Sequence, residues 1–179
     1  MILPFKDKLP RIGANVYIAP TAVIIGDVII EEGCSVWFNS VVRADLDTIH
    51  IGAGSNIQDN CTLHTDLNVP LTIGEQVTIG HNAVIHGCTI EDSVLIGMGA
   101  ILMNHAVVGT GSVVGAGAIV MESQHITPHT LVTGIPAREK KKLPPDTTEE
   151  LNGHARNYCL LAAEYRQSDI PKIKGPAVP

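Results

Sequence analysis

Aliphatic residues recur along this chain with a period of six. They fall at Ile12, Ile18, Ile24, Ile30, Val36 and Val42, and after a short slip at Ile51, Ile57 and Leu63. After a second slip the register resumes at Ile73, Ile79 and Ile85. It then loses one residue and runs on through Ile90, Ile96, Leu102, Val108, Val114, Val120, Ile126 and Val132. The aliphatic is commonly followed by a small or turn residue, as in IGAGSN, IGEQVT, IGHNAV, IGMGAI, VGTGSV and VGAGAI. A period of six fits neither the 3.6 of a helix nor the 2 of an alternating strand. It is the pattern of short repeats stacked into a solenoid, each unit burying its apolar side chain against its neighbours.

Three such hexapeptides make one triangular coil. Each contributes a short strand and a corner, with its sixth-position aliphatic pointing into the prism, and coils stack at the ~4.8 Å spacing of paired strands. The expected fold is therefore mainly β, a parallel β-helix of about seven coils. Resemblance to left-handed β-helix proteins supplies the hand, because the general crossover rule for parallel strands favours the other one. The segment TDLNVP, residues 65–70, breaks the register and reads as a loop bulging from a corner. From Asp146 onward, DTTEELNGHARNYCLLAAEYR opens with an N-cap residue and early carboxylates, and Leu151, Ala155, Tyr158, Ala162 and Tyr165 mark one helical face. The expected organisation is a β-helix over 1–136, a C-terminal α-helix packed along it within 137–170, and a poorly ordered tail over 171–179.

Composition fits a solenoid core. The 179 residues are 45% hydrophobic yet include only three Tyr, two Phe and one Trp, so the core is a column of Ile, Val and Leu. A net charge of -6 argues against a nucleic-acid or anionic-lipid surface. No run approaches the ~18 apolar residues of a membrane span, and MILPFKDKLPRIG carries charges and prolines where a signal peptide needs an apolar run. A cytoplasmic protein with no membrane partner is expected. Cys34, Cys61, Cys88 and Cys159 form no CxxC pair and read as reduced packing residues.

Stacking the coils places chemistry. One face takes Val42, Leu63 and Ile85 inward, so Arg43, His64 and His86 form one outward column. Another face takes Val36, Ile57 and Ile79 inward, which sets Gln58 one residue on and aligns Asp59 with His81. Two imidazoles one rung apart can converge on a zinc ion, whose tetrahedral ligands are about 3.3 Å apart. His81 lies on a different face, too far along the chain to join them. A metal shared between subunits follows, with His64 and His86 from one protomer and His81 from its neighbour, and such a heterologous contact closes most simply as a threefold ring. The same docking brings the Arg43 column toward the Asp59 column of the next subunit. His50, His105, His125, His129 and His154 read as surface or packing residues.

The motifs VVRAD at 41–45, NIQDN at 56–60, the Leu63–His64 pair and GHNAVIHGC at 80–88 together resemble the γ-class carbonic anhydrase family, in order, over roughly residues 10–138. That resemblance implies a homotrimer of left-handed β-helices with interfacial Zn²⁺, or Fe²⁺ under anaerobic conditions, converting CO₂ and water to bicarbonate. It implies His64, His81 and His86 as metal ligands, Arg43, Asp45 and Asp59 at the interface, and Gln58 orienting the reactive oxygen. Tyr158 or Asn157 on the terminal helix is the further candidate, placed to reach over the site. Two departures are visible: Leu46 follows Asp45 where well-characterised members carry Glu, and the short loop holds only Asp66, as in a subgroup lacking the acidic loop.

Two other readings stay open. The fold also hosts acyl-CoA-dependent transferases, which use one catalytic His and have no need of three. A metal that only staples a trimer would need a fourth protein ligand, and no Cys or carboxylate occupies a suitable column position.

Overall fold

From Ile24 to Val132 every sixth-position aliphatic is buried, whereas Ile12 and Ile18, in the first coil, are only partly covered. That gradient is the signature of a stack with one open end. The computed structural model describes residues 1–168 and forms a left-handed parallel β-helix of about seven coils with one helix, Thr147–Gln167, along its side. The tail expected over 171–179 lies outside the described residues. The N-terminal strand Ile2–Leu3 adds a further rung by pairing with Ile24 and Ile25.

The corners obey a rule of their own. At most corners the position two before the inward aliphatic holds a small buried residue, among them Ala22, Cys34, Ser40, Ser55, Cys61, Ala83, Cys88, Ala100 and Ala118, while Ile49, Leu71, Val77 and Val94 fill it elsewhere. Three positions before the aliphatic the backbone turns through positive φ, at Asn39 (61°), Asn60 (60°) and Asn82 (61°) for example. Asn tolerates that region better than most residues, and Gly fills the slot elsewhere. Cys34, Cys61 and Cys88 thus fill a packing slot as expected, and burial pushes the thiols of Cys34 and Cys88 up to about 12. His105 and His129, read as surface or packing residues, occupy the positive-φ slot of their corners.

All three register slips fall at the same corner of the prism. They come directly after Arg43, His64 and His86, between the face of Val42, Leu63 and Ile85 and the face of Ile51, Ile73 and Ile90. In the first, the chain runs as one bent strand, Val41–Ile51, whose ends pair with Thr62–His64 and Leu71–Ile73. In the second, Asp66 and Val69 bridge to each other across a tight turn with Asn68 at φ 59°. The expected bulging loop is this turn. In the third, Gly87 takes φ 49° beside His86.

The helix runs back along the prism from the last coils, where Leu143 N–H reaches the His129 carbonyl, to the first, where Arg166 donates to the Asn15 carbonyl. Its predicted inner face is the observed one: Leu151, Ala155 and Ala162 are buried, and Tyr158 and Tyr165 pack against the core. Tyr17, Trp37, Phe38, Tyr158 and Tyr165 form one cluster there, with Trp37 edge-on to Tyr158 at 5.6 Å and to Tyr165 at 4.9 Å. The few aromatics are spent on docking the helix. Asp146 is the N-cap residue, but its carboxylate accepts no backbone N–H as a cap, because its backbone is already helical (φ -67°, ψ -18°) rather than extended. Before the helix comes an element the six-residue period cannot announce, the exposed strand Arg138–Lys142, antiparallel to Thr130–Thr133. Among the described residues no helix is long and apolar enough to cross a membrane.

Candidate metal centre

Parallel pairing sets Arg43 opposite His64 and His64 opposite His86, so the first column exists as expected. Nδ1 of His64 lies 3.0 Å from Nε2 of His86, with the rings nearly edge to face. The far nitrogen of each ring is also held. Nε2 of His64 donates to Oδ1 of Asp45 at 2.9 Å, and Nδ1 of His86 donates to Oδ1 of Asn104 at 2.6 Å. Asp45 in turn accepts from Nη1 of Arg43. The extra residues of the first slip are what swing Asp45 round to His64, one rung along the stack.

The second cluster sits past the strands Asn56–Ile57 and Thr78–Ile79. Nδ1 of His81 is 2.8 Å from Oδ2 of Asp59, whose other oxygen accepts the Phe38 backbone N–H at 3.1 Å. Gln58 is buried; its Oε1 accepts the His81 N–H at 3.2 Å and its Nε2 donates to Oδ1 of Asn56 at 3.3 Å. Asn56 is itself fixed by donating to Thr78 Oγ1 at 2.9 Å. One hydrogen of the Gln58 amide nitrogen remains for another acceptor. Gln58, His81, Tyr158 and His154 line a groove of about 430 Å³ whose floor is Leu95, Ile96, Met98 and Val114. Burial, and then the Asp59 carboxylate, push the Tyr158 hydroxyl above its ordinary value.

The donor chemistry of the first cluster asks for a cation. Burial alone raises the Asp45 carboxyl, but the bonds from His64 and Arg43 outweigh it and hold the group below its usual value. Asp45 is therefore an acceptor, and the proton of a neutral His64 sits on Nε2. The Asn104 amide is oriented by donation from its Nδ2 to Oδ2 of Asp66 at 3.3 Å, so its oxygen faces His86 and the proton of a neutral His86 sits on Nδ1. Two bare ring nitrogens then face each other at 3.0 Å, an arrangement that needs a positive charge between them. A metal ligated by His with the second nitrogen donated to a carboxylate or carbonyl has this outer pattern. His81 shows it too, through Asp59. Among the described residues no group of three or more His, Cys, Asp or Glu side chains converges on one point within the chain. The residues present fit a metal as two separate portions, His64 with His86 and His81 with Asp59.

Comparison with known proteins assigns the lineage. The repeat models "Bacterial transferase hexapeptide (six repeats)" and "Hexapeptide repeat of succinyl-transferase" match residues 10–44 with 87–121, and 70–103. The chain is 42% identical over 166 residues to carbonic anhydrase of Geobacillus kaustophilus, covering 93% of this chain and 91% of that one. The chain belongs to the γ-carbonic anhydrase family. Its similarity to the mitochondrial gamma carbonic anhydrase 2 of Arabidopsis thaliana is 41% over 162 residues, 87% of this chain but 58% of the plant protein, so it spans less than two thirds of that relative. A solved structure of a hexapeptide transferase family protein from Anaplasma phagocytophilum superposes with a TM-score of 0.88 at 35% identity, over 92% of this chain and 98% of that one.

Within this γ-carbonic anhydrase family chain, the structure gathers Arg43, Asp45, His64 and His86 into one cluster and Gln58, Asp59, His81 and Tyr158 into another. Arg43, expected to face the Asp59 column of a neighbouring subunit, is paired within its own chain with Asp45. Three contributors were not singled out in the sequence: Asn56, which fixes Gln58; Asn104, which holds His86; and His154, classed as surface or packing but lining the groove beside His81. Asn104 was legible in principle, since it stands eighteen residues after His86, one full coil on.

Proposed function

We propose that this protein catalyses the reversible hydration of CO₂ to bicarbonate at a Zn²⁺ or Fe²⁺ ion shared between subunits of a homotrimer. The observation that carries the reading is the pair of bare nitrogens on His64 and His86, each backed by an acceptor on its far side. His81, backed by Asp59, completes the ligand set from the adjoining subunit. Three imidazoles leave an open position, and a bound divalent ion supplies Lewis acidity that makes water a nucleophile near neutral pH.

The chain's own residues do the rest. Asp45, Asn104 and Asp59 keep the imidazole protons of His64, His86 and His81 on the outer nitrogens, so all three rings offer lone pairs. Gln58 cannot turn, because Asn56 and the His81 backbone hold both ends of its amide. Its remaining N–H points a donor at the oxygen of CO₂ or bicarbonate and stabilises the charge that builds there. The apolar groove past His81 suits a small uncharged substrate such as CO₂, and Tyr158 closes one side of it.

The test is metal content and CO₂ hydration, measured together on protein purified with and without air, beside His81→Ala. About one metal per subunit with hydration abolished in the variant supports the reading. Metal uptake without hydration in the unsubstituted protein rejects the enzyme and leaves a metal-stapled assembly. Absence of metal together with binding of acyl-CoA rejects both and favours an acyltransferase.

A further inference from the structure

The second slip extrudes a turn whose first residue, Asp66, reaches across the stack. Its Oδ1 accepts the Leu67 N–H at 2.8 Å, which fixes the carboxylate within its own turn, and its Oδ2 accepts from Nδ2 of Asn104 at 3.3 Å. Asn104, thirty-eight residues further on, passes the chain of bonds to Nδ1 of His86 at 2.6 Å. The glycine between these groups is required for their approach. A Cβ on Gly87 would lie 2.7 Å from Oδ1 of Asn104 and 2.7 Å from Cγ1 of Val69, and its φ of 49° disfavours a side chain independently.

We propose that Asn104, oriented by Asp66, is a positioning residue that fixes the proton of His86 on Nδ1 and aims Nε2 at the metal. An amide without an anchor can turn through 180° and offer nitrogen where oxygen is needed. Asp66, as an acceptor only, permits the one orientation in which the oxygen faces His86. The short turn thus serves His86 from its far side, while Asp45 serves His64 in the same way. This inference rests on the metal reading above and goes beyond it by assigning residues outside the ligand set.

Zinc affinity of the metal-free protein, read by competition with a chromophoric chelator, is the measurement, together with thermal unfolding of the same metal-free samples. Asn104→Leu, which keeps the volume but removes the acceptor, weakens zinc binding by about 10- to 100-fold while the metal-free unfolding temperature stays near that of the parent. The exchange Asn104→Asp with Asp66→Asn restores both hydrogen bonds with the second one reversed, and restores the affinity. Zinc affinity unchanged in Asn104→Leu overturns the role of Asn104 and leaves the metal centre standing. A loss that tracks a fall in metal-free stability and is not recovered by the exchange overturns it too, since Asn104 then acts only in packing. Failure of the unsubstituted protein to bind zinc overturns the metal centre and this inference with it.

Discussion

Nδ1 of His64 and Nε2 of His86 face each other across 3.0 Å, whereas His81 is committed to Asp59 on another face of the prism. A solenoid coil is rigid along its stack, so the two halves cannot fold together within one chain. Adjacent rungs converge at ~4.8 Å, but adjacent faces point apart. On the metal centre proposed above, each protomer would donate two ligands on one side and one on the other.

Subunit complementation reads that division directly. His81→Ala and His86→Ala each lack zinc-dependent hydration alone. Unfolded together in equal amounts and refolded, they regain about a quarter of the parental sites, the statistical share in which an intact His64 and His86 pair meets an intact His81. Recovery of zinc in the mixture, with none in either variant alone, is the expected result. No recovery in a mixture that assembles normally would place all three ligands in one chain.

The column of buried aliphatics predicts a graded cost along the stack. Ile79 is fully buried in a central coil, and Ile79→Ala is expected to destabilise the protein by about 2–5 kcal/mol through lost burial and an unfilled cavity. Ile12, at the open end, is half-covered, and Ile12→Ala is expected to cost less than half as much. Urea unfolding of both variants checks the order. Equal costs would mean that the end coil is covered more fully than the structure shows.

Buried thiols make stability sensitive to alkali. Burial pushes Cys34 and Cys88 up to about 12 and Cys61 up to about 11, above the ordinary 9.0. Above pH 9 the unfolded chain releases these protons while the folded chain keeps them. The unfolded state then binds fewer protons, so stability is whole below about pH 9 and falls as pH rises toward about 12. Replacing the three residues by Ala, which already fills the same corner slot in other coils, flattens that decline. Urea midpoints at about pH 8 and about pH 10.5 measure it, and an equal decline in the triple variant would exclude the thiols as its cause.

Much of this molecule is written locally. Because a β-helix advances by fixed rungs, residues at the same offset from the inward aliphatic of one face stand above one another, and counting from Val42, Leu63 and Ile85 put Arg43, His64 and His86 in one column, as counting from Ile57 and Ile79 put Asp59 beside His81. The helical face of Leu151, Ala155 and Ala162 was equally plain from its spacing. The strand Arg138–Lys142 was not, for its five exposed residues carry no apolar pattern and its pairing comes from the last coil rather than from its own sequence.

The sequence by itself determined the repeat, the inward column and the residues that share a face, since each follows from a regular offset between neighbouring coils, and it determined the helix through the apolar spacing of its inner face. Only the tertiary structure decided what the register slips do. Extra or missing residues at a corner have no lattice to place them, and their course depends on packing against the coils above and below. Three-dimensional contact alone set Asp45 beside His64, carried Asp66 to Asn104 and Asn104 to His86, and locked Gln58 between Asn56 and the His81 backbone. Those contacts choose which nitrogen of each histidine keeps its proton, and that choice is a property of hydrogen-bond partners brought together from distant turns of the chain.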